Sequence, residues 1–183
     1  MKVDQKFQSC YLASNLVALR PLVLTDQDAV VDACNDEEIQ KWLPLPFPYT
    51  KEDARWFIQD LTVQRQSDGS GLLSAIEYEG KFAGVIDIKR AEWISRKCEI
   101  GYWSSPWARG KGIMTTALLM LTDWIIQEVG FQRIEVTAAP ENLASQRVAS
   151  KAGYVQEGIA RNAGYTNSGR CDLIIFSKIP SDF

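Results

Sequence analysis

Histidine is absent from all 183 residues. That absence removes the Ser-His-Asp and Cys-His nucleophile systems, the HExxH zinc site and any imidazole general base. Cysteine is sparse, and the four present (Cys10, Cys34, Cys98 and Cys171) are scattered with no CxxC pair. Such spacing suits free thiols in a reducing compartment and offers neither a disulfide framework nor a metal site. An excess of basic charge is missing as well. The formal net charge is −3, so no global positive field argues for nucleic acid. No apolar run reaches the roughly 18 residues a membrane span needs, and the opening MKVDQKFQSCYLAS is too polar for a signal peptide. These absences predict a cytoplasmic protein with neither nucleic acid nor membrane as a partner.

What is present builds one core. At 46% hydrophobic residues, a chain of this length buries enough apolar surface for a single domain. Residues 1–14 read as an N-terminal tail and residues 15–183 as that domain, with no internal repeat or linker. Leu16 to Leu24 is a strand demoted by Pro21 to an edge or bulged position. Thr25-Asp26 caps a helix to about Cys34, and Asp36 to Leu43 adds a further turn. Pro44, Pro46 and Pro48 stiffen an extended loop, and Thr50 caps a helix over residues 51–66. Leu72–Tyr78 and Phe82–Ile88 form a hairpin. Arg133–Ala138, Tyr154–Ala160 and Asp172–Ile179 are further strands, with a short helix over Asn142–Ala152. Strands that alternate with helices and finish in a hairpin predict an α/β (α+β) mixed sheet of six to seven strands covered by helices.

The chain is organised around Cys98 to Gly130. Cys98, Ile100 and Tyr102 alternate with Glu99, Gly101 and Trp103 along a strand. Ser104 to Pro106 breaks it, and Arg109-Gly110-Lys111-Gly112 leads into a helix opened by Ile113. Met114, Leu118, Leu121, Ile125 and Val129 form that helix's apolar stripe. Glycines before a helix let successive N–H groups converge where the helix dipole is positive, which suits a phosphate or pyrophosphate. Two such patterns fail here. A P-loop needs Ser or Thr where Gly112 stands, and a dinucleotide fingerprint needs a third glycine where Thr115 stands.

The third pattern fits better. Arg109-Gly110-Lys111-Gly112-Ile113-Met114 resembles the acetyl-CoA loop of GNAT-superfamily N-acetyltransferases, with Met114 departing at the last position. Glu99-Ile100-Gly101-Tyr102-Trp103 ahead of that loop, and Met114-Thr115 after it, resemble the RimJ/RimL-like (ribosomal-protein-alanine N-acetyltransferase) branch. A second motif follows in the family's order: Asn142 and Ser145 opening a helix, then Gly153-Tyr154. The resemblance implies a GNAT fold with mostly antiparallel strands, two of them splayed to form a cofactor cleft. It also implies acetyl-CoA, held by Trp103, Ser104, Arg109, Gly110, Lys111, Gly112, Ile113, Met114, Thr115, Asn142 and Ser145, with no metal.

Amine acetylation needs a proton acceptor for the attacking nitrogen and a donor for the leaving thiol. Glu99, upstream of the loop, is the expected general base, directly or through water. Main-chain N–H groups near Trp103 and Ser104 are placed to hold the thioester oxygen. Many relatives carry a tyrosine seven residues after the helix-opening Asn, where Ala149 stands here; Ser145, three residues after Asn142, matches the serine that the RimJ/RimL-like resemblance implies as the acid. Arg147 and Lys151 are candidates for the cofactor's 3′-phosphate, and Trp103, Arg161 and Tyr165 for the acceptor side. The expected activity is acetylation of a primary amine, which the RimJ/RimL-like resemblance implies is a protein N-terminal α-amine, by a monomer or homodimer. A small amine, aminoacyl metabolite or antibiotic as acceptor stays open, as does a non-catalytic acyl-CoA sensor.

Overall fold

The computed structural model describes residues 5–183; residues 1–4 of the expected tail lie outside the described residues. The strands are β1 (Leu12–Ser14), β2 (Val17–Pro21), β3 (Leu72–Tyr78), β4 (Lys81–Glu92), β5 (Lys97–Ser104), β6 (Arg133–Ala138), β7 (Val155–Thr166) and β8 (Gly169–Lys178). They form an eight-stranded sheet in the order β1-β2-β3-β4-β5-β6-β8-β7. Neighbours are antiparallel except β5 and β6, which run parallel. The mixed, mostly antiparallel sheet is the expected one, with one or two strands more.

The helices are α1 (Gln27–Cys34), α2 (Glu37–Trp42), α3 (Lys51–Arg55), α4 (Thr62–Asp68), α5 (Ile113–Trp124) and α6 (Leu143–Lys151). A π-helical stretch, Trp56–Leu61, joins α3 to α4, and another, Ile125–Val129, extends α5. Thr50 and Asp53 close a reciprocal capping box at the start of α3. Among the described residues no helix is long and apolar enough to cross a membrane.

The sheet separates two cores. On one face Ile86, Ile88, Ile100, Ile134 and Phe176 pack with Leu118 and Leu121 of α5. On the other, Leu73, Ala75 and Val85 pack with Val30 of α1, Ala54 of α3 and Ile58. Strand β5 alternates between them as its period requires: Cys98 and Ile100 enter the first core, and Trp103 lies against the second.

Three boundaries differ from the sequence expectation. Part of the expected tail packs on the domain: β1 pairs with β2, and Phe7 is buried against Trp93 and Phe131 with ring centroids 4.8 and 5.7 Å away. Strand β2 is therefore internal, and Pro21 sits at its end, past the last β1 partner, Leu19. Strand β4 continues to Glu92 through a bulge at Lys89–Glu92, where Arg90 takes a left-handed backbone (φ 53°). Strands β7 and β8 stay paired out to Thr166↔Gly169, because a register shift between Ala160 and Gly164 hides the two-residue alternation in the sequence.

Candidate active site

The parallel pairing of β5 with β6 covers only Lys97 to Glu99, while β5 stays paired with β4 as far as Ser104. Beyond Glu99 the two central strands part. A cleft of about 720 Å³ opens there and gathers residues from both faces of the sheet. Tyr102, Ser104, Gly110, Gly112, Asn142 and Ser145 line one half. Trp42, Pro44, Arg90, Trp103, Tyr165 and Thr166 line the other, with Glu99 between the two sets on the strand that divides them.

The first half has the backbone of an anion cradle. Gly110 and Gly112 hold φ of +75° and +76°, a region open to glycine without strain, and a Cβ on either would meet nothing within 4 Å. The loop thus faces open space. Helix α5 starts at Gly112 with no side-chain cap, so its first-turn N–H groups remain available to an anion. Ile113 and Met114 are buried in the core, which absorbs the departure from the family's small residue at position 114. Thr115 lines the cleft half-buried. Both basic side chains have partners within the chain, and of the two only Arg109 lines the cleft. The Arg109 guanidinium pairs with Asp36, the N-cap of α2, and Lys111 Nζ lies 4.9 Å from the centroid of Trp107, outside the cleft lining. Burial would raise the Asp36 carboxyl, but the bond from Arg109 prevails and holds it below the usual range.

Helix α6 supplies the rest of this half. Asn142 Oδ1 accepts the Ser145 N–H at 3.1 Å, so Asn142 is the N-cap. The Ser145 hydroxyl lies 3.1 Å from the Tyr102 hydroxyl, which also donates to the Ser145 carbonyl at 3.1 Å. Arg147 and Lys151 line the cleft and are exposed.

Glu99 is 5% exposed. Its carboxylate accepts from Thr137 Oγ1 at 2.9 Å, Arg90 Nη1 at 2.7 Å and Lys89 Nζ at 3.1 Å. Burial alone would raise its pKa. The charge of Lys89, the Thr137 hydrogen bond and the charge of Arg90 together outweigh burial and hold it below the usual range. Glu99 is therefore ionised at neutral pH. The side chain of Arg90 is 74% exposed, so one partner of the carboxylate is readily displaced by an incoming group.

The other half has a roof. Asn167, in the β7–β8 turn, donates through Nδ2 to the carbonyls of Gln40 (3.0 Å) and Leu45 (3.2 Å) and to Gln40 Oε1 (3.0 Å). These bonds pin the hairpin to the proline loop, whose Trp42, Leu43 and Pro44 line the cleft. Arg161 lies on β7 outside the cleft lining. The structure thus brings Glu99, Trp103, Ser104, the glycine loop, Asn142 and Ser145 to one cleft. Sequence reasoning missed Tyr102 and the Lys89–Arg90 pair. The alternation of β5 was the available signal for Tyr102, since it puts that side chain on the α6 face. No sequence signal marks the bulge that brings Arg90 to Glu99.

The comparisons with known proteins agree with this geometry. Residues 17–155 match the family model for the acetyltransferase (GNAT) domain, and the chain belongs to that family. It is an acetyl-CoA-dependent N-acetyltransferase of that family. YdaF of Bacillus subtilis (strain 168) is 29% identical over 150 residues, 81% of this chain and 82% of that protein. The ribosomal-protein-serine acetyltransferase of Escherichia coli (strain K12) is 29% identical over 146 residues, 79% of this chain and 81% of its own. Among solved structures, Mycobacterium smegmatis RimJ in complex with CoA-disulfide has the same fold, with a TM-score of 0.85 at 24% identity, over 96% of this chain and 88% of that one.

Proposed function

We propose that the acceptor is a protein N-terminal α-amine and that this chain's own side chains act as follows. Acetyl-CoA supplies the acetyl thioester. The first-turn N–H groups of α5 and the Gly110–Gly112 main chain hold its diphosphate. Main-chain N–H groups of β5 beyond Glu99, left without β6 partners by the early end of the parallel register, lie where the thioester carbonyl oxygen would accept hydrogen bonds. The acceptor amine enters from the Trp42–Tyr165 side and forms its N–C bond as the C–S bond breaks. Its proton passes toward Glu99. Glu99, ionised at neutral pH, takes that proton through a water that it orients. Ser145 donates to the departing sulfur.

The observation that carries this reading is the cleft itself, which joins the glycine cradle on one face of the sheet to an open mouth on the other, with an ionised carboxylate at the crossing. The E. coli relative's activity on a ribosomal protein supports a peptide terminus over other amines. The test is thiol release from acetyl-CoA across N-terminal peptides, the same peptides blocked at the α-amine, polyamines and aminoacyl metabolites. Turnover confined to unblocked peptides supports the proposal. Turnover confined to small amines overturns the acceptor assignment, and tight acetyl-CoA binding with no turnover on any amine favours a sensor.

A further inference from the structure

Ser145 has a partner that neither the sequence motifs nor the family's usual proton donor accounts for. The family's tyrosine position on α6 is Ala149, which is fully buried in the core and one helical turn after Ser145. A phenol reaches the same helix from a different element. Tyr102 on β5 crosses from the strand to α6 and places its hydroxyl 3.1 Å from both Ser145 Oγ and the Ser145 carbonyl oxygen. A phenol has one proton, and two acceptors compete for it here. While that proton is on the carbonyl, the phenol oxygen is free to accept from Ser145 Oγ–H, and the serine proton is engaged by the phenol. When the phenol turns its proton onto Ser145 Oγ, the serine proton is free for another acceptor in the cleft. The two acceptors lie at equal distance, so the exchange requires only rotation of two hydroxyls.

We propose that Tyr102 is a positioning residue for leaving-group departure, orienting the Ser145 hydroxyl toward the sulfur by donating to its oxygen. The inference rests on the acetyl-transfer reading above and adds to it the switch that aims Ser145. In the balanced step, the N–C bond forms and the C–S bond breaks. The electron pair leaves on sulfur, and the amine proton goes through water to Glu99. The sulfur receives a hydrogen bond from Ser145 and its proton from solvent. Tyr102 keeps its own proton throughout: burial pushes its hydroxyl up to about 12, well above the about 8.5 of a thiol, so full transfer from the phenol would run uphill. A hydrogen bond from a hydroxyl that is itself receiving one is strengthened by polarisation along the chain.

The test compares Tyr102→Phe, Ser145→Ala and the double variant. Phe keeps the ring that packs against the core and removes only the hydroxyl. The decisive readout is the titration of the thiol of bound coenzyme A, followed by ultraviolet thiolate absorbance, alongside the Kd for coenzyme A, kcat and KM. Tyr102→Phe should move the bound thiol's titration to higher pH and lower kcat by about 10- to 100-fold, the range of one hydrogen bond to a charged group. The Kd for coenzyme A and the acceptor KM should stay within about twofold. The double variant should be no slower than Ser145→Ala alone, because the two hydroxyls act as a unit. An unchanged thiol titration in Tyr102→Phe, or losses that multiply in the double variant, would overturn the proposal. So would a weaker coenzyme A affinity that accounts for the whole rate change, which would mark Tyr102 as a packing residue. Failure of the wild-type protein to bind coenzyme A or to turn over would instead sink the acetyl-transfer reading.

Discussion

Gly112→Asp, set beside Gly80→Ala, tests the cradle with its own internal control. Gly80 in the β3–β4 turn and Gly112 at the start of α5 share φ +76°, and a Cβ on either meets nothing within 4 Å. Any L-residue at either site therefore pays for the left-handed backbone alone, roughly 1–2 kcal/mol. For a chain of this size that lowers Tm by about 2–8 °C, similarly at both positions. Their effects on coenzyme A must then diverge. Gly80 lies outside the cleft lining and Gly112 within it. An aspartate at 112 sets a negative charge beside the diphosphate. Two unit charges 4 Å apart repel by about 1 kcal/mol in water and about 4 kcal/mol at an effective dielectric of about 20. Gly112 is exposed, so about 1–3 kcal/mol applies, or about 5- to 150-fold in Kd. Isothermal titration reads the Kd, and thermal melts confirm that both variants fold. The penalty should shrink at high ionic strength, where exposed charges are screened, whereas Gly112→Ala should show the steric part alone with little salt dependence. A folded Gly112→Asp protein that binds coenzyme A as tightly as Gly80→Ala would refute the cradle.

The other site residues give sharper splits between kinetic parameters. Glu99→Gln should lower kcat by about 10²–10⁴-fold with coenzyme A affinity intact, and an unchanged rate and pH–rate profile would remove Glu99 from the mechanism. The same variant has a stability signature. The folded-state pKa of Glu99 lies below its ordinary value, so its stabilisation is fully present above the unfolded-state pKa of about 4.3. That stabilisation is lost as pH falls through the lower folded-state value. The gap in stability between wild type and Glu99→Gln should therefore close as the pH is taken down through the acid range. Asn167→Ala frees the hairpin turn from Gln40 and Leu45. It should raise the acceptor KM severalfold while the Kd for coenzyme A stays put, because the clasp closes only the acceptor half. A change confined to coenzyme A binding would refute that division of the cleft.

Much of this architecture was legible in the residues because local chemistry and fold agree there. The alternation of Cys98 to Trp103, the apolar stripe from Ile113 onward and the capping residues Thr50 and Asn142 each act over one or two turns of chain, so the sequence shows them directly. The glycine loop was equally legible, since only its backbone requirement is at stake. What the sequence hid depends on partners far along the chain. The pairing of Arg109 with Asp36 and the seat of Lys111 over Trp107 could not be read from the loop, because both partners lie outside it. Arg90 reaches Glu99 only because the β4 bulge turns the backbone left-handed, and a bulge has no compositional mark in Lys89-Arg90-Ala91. Residues 7–14 looked like a tail for lack of periodicity. Phe7 is nonetheless fixed by aromatic contacts with Trp93 and Phe131, residues more than 80 positions distant in the chain.

The parting of β5 and β6 also has a thermodynamic consequence. A parallel pair that stops after Glu99↔Glu135 leaves the β6-facing main chain of β5 without strand partners, at the centre of the sheet. Buried main-chain groups require partners, and here a ligand can supply them. Binding to the folded chain alone stabilises it by RT ln(1 + [L]/Kd), about 2.7 kcal/mol when coenzyme A is at a hundredfold its Kd. At about 2–4 °C per kcal/mol, Tm should rise by about 5–11 °C in wild type, by the same amount in Gly80→Ala, and by about 1–7 °C in Gly112→Asp at the same concentration, where a 5- to 150-fold weaker Kd leaves about 0.3–1.8 kcal/mol. Hydrogen exchange locates the effect. Amides of residues 100–104 and 112–115 should slow on binding, whereas those of β1 and β2, remote from the cleft, should change only as far as global stability does. Protection confined to residues 112–115 would mean that the diphosphate is held but the pantetheine arm does not lie along β5, and the placement of the thioester beside Glu99 would then fail.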